Sequence, residues 1–323
     1  MSATGGDPLA AALADALGRP VERLRPIAGG DLNDAYEATL AGGGVERVFV
    51  KTSADAAPGA FAAEADGLRW LAAAAALPLP APLAVVDDPA PGPAVRSPSA
   101  AEPPHAAPPS GRPRLLALEW IESGQPTPAT DEELGRGLAR LHASGAPSFG
   151  GPEETLRIGP LALPNAPASA WPAFYAQRRL LPLGDLAERR GALPPGTRAA
   201  LDRLADRLCA GGDDAVRLTG PPEPPARLHG DLWAGNVMTD RAGSPWLIDP
   251  AAHGGHREVD LAMLRLFGGP SQRCFAAYAE VAPLADGADE RVALWQLAPL
   301  LLHAVLFGAA YGSRVAAALQ RYG

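Results

Sequence analysis

A chain of 323 residues is long enough for two lobes with separate cores, and its net charge of −8 with a pI near 5.3 argues against a nucleic-acid binder, which needs a broad basic face. An apolar fraction of 47% with only 6% aromatic residues predicts an aliphatic, helix-rich core. The first residues lack the cationic and apolar regions of a signal peptide, and the apolar stretch Leu71–Val86 is broken by three prolines. A cytoplasmic protein without membrane spans is therefore expected. Cys209 and Cys274 show no metal or redox spacing and read as buried, reduced thiols. Nothing in the pattern speaks to oligomeric state.

In chain order, Asp7-Pro8 opens a short amphipathic helix that Gly18 stops. Leu24–Leu40 reads as two strands around the turn Ala28–Asn33, and Gly42-Gly43-Gly44 leads into a strand ending at Lys51. Phe61–Ala76 has helical spacing at Glu64, Leu68 and Leu71. Asp87–Pro113, dense in proline, alanine and serine, reads as a mobile insertion without a site. Leu115–Ile121 is the next strand, and Glu122-Ser123-Gly124 a hinge. Thr130 and Glu133 suggest a capping box for a helix over Asp131–His142. Beyond Gly145 the pattern is mostly helical, at Ala168–Leu180, Gly196–Cys209, Glu258–Phe267, Ser271–Val281 and Asp289–Phe307, with one hairpin interrupting. The expected architecture is α+β and two-lobed like the protein kinases. Residues 1–121 would form an antiparallel-sheet lobe and 122–323 a helical lobe.

Lys51 is the only lysine; the other 27 basic residues are arginines. A compact ammonium held where guanidinium has replaced it elsewhere points to a site that a planar fork cannot serve. At the end of an apolar run, with Glu64 thirteen residues on, it has the kinase arrangement for ATP phosphates. The second cluster is His229-Gly-Asp-Leu-Trp-Ala-Gly-Asn236, followed by Trp246-Leu-Ile-Asp249. Asp231 on the loop can accept a hydroxyl proton. Asn236 and Asp249, at either end of a short hairpin around Asp240–Gly243, offer hard oxygen ligands to Mg2+. Each residue alone has an ordinary reading: Asp249 a turn residue before Pro250, Asp231 a helix cap, Gly29-Gly30 a hairpin turn. In this order and together they do not. With Lys51 one strand later, Gly29, Gly30 and Asn33 read as the nucleotide loop. Only Pro250–Val259 separate Asp249 from Asp260, too few for the activation segment on which protein kinases dock peptides. The acceptor is accordingly small, or a small adduct on a larger molecule.

The chain resembles the fructosamine kinase family, within the aminoglycoside phosphotransferase and choline kinase superfamily. The resemblance runs through Gly29–Tyr36, Phe61–Leu71, Ile158-Gly159-Pro160 to Asn165, Trp171, Gln177–Leu180, Leu228–Asn236, Ile248-Asp249-Pro250, Gly255–Met263, Leu266–Gly269 and Leu306-Phe307-Gly308. Trp233 after His-Gly-Asp-Leu and the Gly255–Met263 block favour this family over the antibiotic kinases. Two departures stand out: Asp31 occupies a place where many relatives carry cysteine, and Ala252-His253-Gly254 replaces their aromatics. What the resemblance implies is ATP- and Mg2+-dependent phosphorylation of the sugar O3 of ketoamines, free or on glycated protein. The alternatives are another small hydroxyl acceptor, such as an aminoglycoside or amino alcohol, and an ATP-binding pseudokinase scaffold. By the same match Asp231 is the base, Asn236 and Asp249 the metal ligands, and Lys51, held by Glu64, the phosphate contact. Glu119 and Ile121 would present backbone groups to adenine, Trp233 would stack on the acceptor, and His256 would stand beside it. Asp260 would tie down the catalytic loop.

Overall fold

The computed structural model describes residues 7–28, 33–44, 46–53, 56–87 and 113–322. They divide into two units, one of residues up to Arg69 with Pro80–Glu122, the other of Trp70–Leu79 with the chain from Ser123 onward.

In the first unit the Asp7 carboxylate accepts the Leu9 amide at 2.9 Å to start α1 (Pro8–Leu17), and Gly18 ends it at φ 64°. Five antiparallel strands follow: β1 (Val21–Ile27), β2 (Asp34–Leu40), β3 (Arg47–Thr52), β4 (Pro82–Val86) and β5 (Leu115–Glu119), in the order β1-β2-β3-β5-β4. Alternate residues of β2 and β3 (Ala38, Leu40, Val48, Val50) meet Leu9, Ala12 and Leu13 of α1 in an aliphatic core. Helix α2 (Ala60–Ala72) stops four residues short of the expected end, ahead of the run of prolines.

One sequence expectation fails here. Composition groups Asp87 with the Pro-rich segment, yet its carboxylate accepts the amides of Gly59 (3.1 Å), Phe61 (2.8 Å) and Ala62 (3.1 Å). It caps α2, whose own first turn has no acidic residue. The rest of that segment, 88–112, lies outside the described residues.

The second unit is helical: α3 (Pro128–Ala143), α4 (Trp171–Tyr175), α5 (Leu181–Arg189), α6 (Thr197–Ala210), α7 (Gly212–Thr219), α8 (Glu258–Leu264), α9 (Gln272–Val281), α10 (Ala288–Trp295), α11 (Leu297–Phe307) and α12 (Ala309–Leu319). Three small pairs interrupt it: β6 (Thr155–Ile158) with β7 (Leu161–Pro164), β8 (Ala226–Leu228) with β11 (His253–Gly255), and β9 (Val237–Thr239) with β10 (Pro245–Leu247). Sequence periodicity finds only the last pair, because the other strands are three or four residues long. The capping box of α3 sits three residues earlier than expected, with Thr127 as cap and Thr130 reaching back to its amide at 2.9 Å; Pro128 then occupies the first turn. A π-helical turn, Ala176–Leu180, links α4 to α5. Buried Arg179 on it bonds the Pro164 carbonyl and the Asn165 side chain, each at 2.7 Å, and thereby fastens β7 to the helices.

The core of this unit gathers Trp171, Phe174, Tyr175, Leu201, Leu204, Trp295, Leu301 and Val305. The apolar run Ala288–Phe307 is long enough to cross a membrane, but 56% of its most apolar window is buried in this packing. Cys274 is buried as expected; Cys209 is exposed, contrary to expectation, at the end of α6 on its solvent side.

Candidate active site

In the first unit, pairing of β3 with β2 and β5 sets Lys51 opposite Ala35 and Leu116 in the middle of the sheet. Its ammonium lies 2.9 and 3.0 Å from the two Glu64 carboxylate oxygens, with the lysine 5% exposed. A bidentate grip on a buried lysine by a carboxylate on α2 fixes the cation's direction. Asp87 in turn holds the start of α2. Glu119, at the end of β5, is committed: its amide donates to the Ala81 carbonyl at 2.9 Å and its carboxylate accepts the Ala81 amide at 3.2 Å. Ile121 is buried, and among the described residues neither its amide nor its carbonyl forms a hydrogen bond. Of the nucleotide-loop residues, Asn33 is half-buried just before β2, while Gly29 and Gly30 lie outside the described residues.

In the second unit, β8 delivers the loop that carries Asp231. The Asp260 carboxylate accepts the amides of His229 (2.7 Å) and Gly230 (2.9 Å), and His142 stands 3.3 Å behind it with Tyr278 2.9 Å further on. The expectation that Asp260 ties the loop rather than touching substrate matches this geometry. Gly230 turns at φ 83°, and a Cβ there would lie 2.0 Å from the Ala251 carbonyl oxygen, so no other residue fits without moving the loop. His229 is fully buried. Its Nδ1 accepts the Asp231 amide at 3.3 Å and its Nε2 donates to the Ile248 carbonyl at 2.9 Å, which specifies the neutral Nε2–H tautomer.

Asn236 donates from Nδ2 to the Asp231 carbonyl (2.8 Å) and carboxylate (3.1 Å), leaving its Oδ1 as an available oxygen. The Ile248 amide reaches the Asn236 carbonyl at 3.1 Å, so the β9–β10 hairpin closes with Asn236 beside the segment that carries Asp249. Asp249 has φ 54°, an uncommon conformation for a non-glycine residue. One amide oxygen and one carboxylate are a donor set suited to Mg2+, which takes few protein ligands and completes its shell with water and phosphate. Burial raises the Asp231 carboxyl above its usual range, and Asp249 adds to this; the Asn236 hydrogen bond acts in the opposite sense.

Trp233 is 37% exposed, and its indole lies over Gly235, where a Cβ would come within 2.2 Å of the ring. One face is therefore packed and the other available. His256 does not stand where the sequence suggested. It is buried, stacked on Trp295 with centroids 5.1 Å apart at 23°, with Glu223 3.8 Å away. It supports the start of α8 from the interior and offers nothing to an acceptor from solvent. Arg257 is bound in the same interior, to Glu223 at 2.7 and 2.8 Å.

His303 lies on α11, and burial holds its imidazole below the usual histidine range. It lies in a half-exposed ring cluster with Phe267 (4.4 Å), Tyr311 (5.0 Å) and Phe307 (5.4 Å). The four-residue step from His303 to Phe307 was the available sequence signal.

A sequence profile described as fructosamine kinase matches residues 7–322. A protein of Enterococcus faecium named a probable ketoamine kinase is 31% identical over 93% of this chain and 95% of its own. A mouse ketosamine-3-kinase is 39% identical over 141 residues, 44% of this chain and 43% of its own. Among solved structures, a Thermobifida fusca protein provisionally assigned as a fructosamine-3-kinase superposes with a TM-score of 0.81 at 40% identity, covering 98% of this chain and 99% of that one. The aminoglycoside phosphotransferase APH(4)-Ia, solved with AMP-PNP and hygromycin B, shares the fold at 16% identity and a TM-score of 0.61, with 98% and 99% covered.

Proposed function

The chain belongs to the fructosamine kinase family, a phosphotransferase family acting on hydroxyl groups of sugar amines at the expense of ATP, and on that premise we propose that it phosphorylates the sugar O3 of ketoamines. The observation that carries this reading is the catalytic loop itself. Asp231 is oriented by Asn236 and backed by Asp260, and an indole face is presented two residues on.

In this reading the acceptor hydroxyl donates its hydrogen bond to the Asp231 carboxylate, whose affinity for a proton burial has increased. The hydroxyl oxygen forms a bond to the γ-phosphorus, the bond from phosphorus to the β,γ-bridging oxygen breaks, ADP leaves, and the hydroxyl proton passes to Asp231. Lys51, fixed by Glu64, contacts the nucleotide phosphates, and the free backbone groups of Ile121 contact adenine. Asn236 and Asp249 would hold Mg2+, which when bound neutralises the phosphate charge. Trp233 stacks on the sugar or on the arm bearing the amine. The single-residue requirements of a kinase are all present, which disfavours a pseudokinase scaffold.

The test is ATP consumption with ribose- and fructose-derived ketoamines, kanamycin-type aminoglycosides and choline, with the product position read by NMR. Transfer to O3 of a ketoamine is expected. Turnover confined to aminoglycosides or choline would overturn the acceptor assignment and leave the kinase intact.

A further inference from the structure

Behind the catalytic loop, buried polar groups form one connected chain that the transfer chemistry itself does not use. Asp260 is its inner end. Its Oδ1 accepts the Gly230 amide, and its Oδ2 accepts both the His229 amide and, at 3.3 Å, His142 Nε2. Only 1% of either side chain is exposed, so water does not replace these contacts. On the far side, His142 Nδ1 lies 2.9 Å from the hydroxyl of buried Tyr278. The direction of each bond follows from which group has a proton to give. Burial opposes ionisation of Asp260, but the hydrogen bonds from His142 and the Gly230 amide outweigh it and hold the carboxyl below its usual range. An ionised Asp260 is an acceptor only, so the proton of His142 is on Nε2. The buried Tyr278 proton needs an acceptor as well. Among the described residues that hydroxyl hydrogen-bonds no other acceptor, and the neighbouring Arg257 has donors only. Tyr278 therefore donates to His142, and His142 to Asp260. The backbone is built for this meeting: α3 and α9 come so close at Gly135 that a Cβ there would lie 2.0 Å from the Cys274 carbonyl oxygen and 3.0 Å from the Tyr278 amide nitrogen. His142 follows Gly135 by two turns on the same face of α3.

Resting on the assignment of Asp231 as the base, we propose that His142 and Tyr278 are positioning residues for phosphoryl transfer, holding Asp260, and through it the Asp231 loop, in register for the acceptor hydroxyl. His142 and the His229 amide share one oxygen of Asp260, so the imidazole fixes where that oxygen sits and the loop amides follow it. Asp231 comes next after Gly230, and its own amide is bound by His229. Both positioning residues are buried, so their effect reaches the substrates only through the loop.

The experiment measures kcat, both KM values and the melting temperature of full-chain variants, with Mg-ATP and the acceptor from the panel above that turns over fastest. His142→Leu should lower kcat on the order of a hundredfold, the cost of moving a reacting group by about 1 Å. Tyr278→Phe, which deletes one hydrogen bond, should lower it about tenfold. In each the KM for ATP should stay within about twofold of wild type. His142→Gln, whose amide can donate from the Nε2 position, should recover most of the loss. In an Asp231→Asn background, His142→Leu should cost little more, because the base it places is gone. Should His142→Leu not fold, Tyr278→Phe carries the same comparison. Equal losses in both backgrounds, a KM for ATP that rises as far as kcat falls, or folded variants with wild-type kcat would overturn the positioning role. Full turnover in Asp231→Asn alone would instead remove the base assignment, and this inference with it.

Discussion

Asp87→Ala should weaken nucleotide binding from a distance. The carboxylate accepts three amides at the start of α2, the helix that carries Glu64. Losing a side-chain cap costs about 1 kcal/mol, and losing a negative charge at a helix N-terminus about 0.3–1 kcal/mol. With a third amide also left unpaired, about 2 kcal/mol is a fair total. For a chain of 323 residues that corresponds to a fall in Tm of roughly 3 °C. Asp87→Asn keeps the shape and one acceptor but not the charge, and should fall about midway. Because Glu64 grips Lys51 from α2, fraying of the helix start should raise the KM for ATP more than that for the acceptor. Differential scanning fluorimetry and initial rates at varied ATP measure both effects. An Asp87→Ala protein with wild-type Tm and ATP KM would refute the cap as the device that positions α2.

Lys51→Arg should retain the fold but lose most activity, since the broad planar guanidinium, even when paired with Glu64, cannot present the compact ammonium that the phosphates require; near wild-type turnover would contradict this. Asp231→Asn should lower kcat by orders of magnitude with nucleotide affinity nearly intact, whereas Asp249→Ala should weaken Mg-ATP binding itself; calorimetry giving the reverse would exchange the two roles. Gly235→Ala should displace the Trp233 indole and raise the acceptor KM several-fold, read by tryptophan fluorescence alongside kinetics. Burial pulls His253 and His256 below the usual histidine range. The unfolded chain therefore binds more protons than the folded one below about pH 6.5, and stability should fall as pH drops through that value, by up to about 1.4 kcal/mol per pH unit for each histidine. A Tm unchanged between pH 7.5 and 5.5 would contradict this account.

The parts of the site legible in the sequence were those whose chemistry admits few residue types. A lone lysine ending an apolar strand, an Asp and an Asn five apart, and an Asp closing a hairpin announce themselves because no packing role demands that combination. The contribution of Asp87 was hidden for the opposite reason: a helix cap supplied from another strand's end has no local spacing, and the surrounding prolines and alanines suggested a linker. His256 misled because a histidine at a helix start reads the same whether it faces solvent or a tryptophan. Only the packing of Trp295 and Trp171 around it decides.

His303 shows a further reason for blindness. It sits 72 positions from Asp231, on a helix that is otherwise wholly apolar and reads as core. Acceptor specificity needs only stacking surface and one placed charge, and many residues can provide these, so a family can vary them while the transfer chemistry stays fixed. That difference in constraint explains why candidate nucleotide and catalytic residues stand out in the chain alone, whereas a wall facing the acceptor does not. It also makes the wall the place where substitutions should change which ketoamine is used without abolishing phosphoryl transfer.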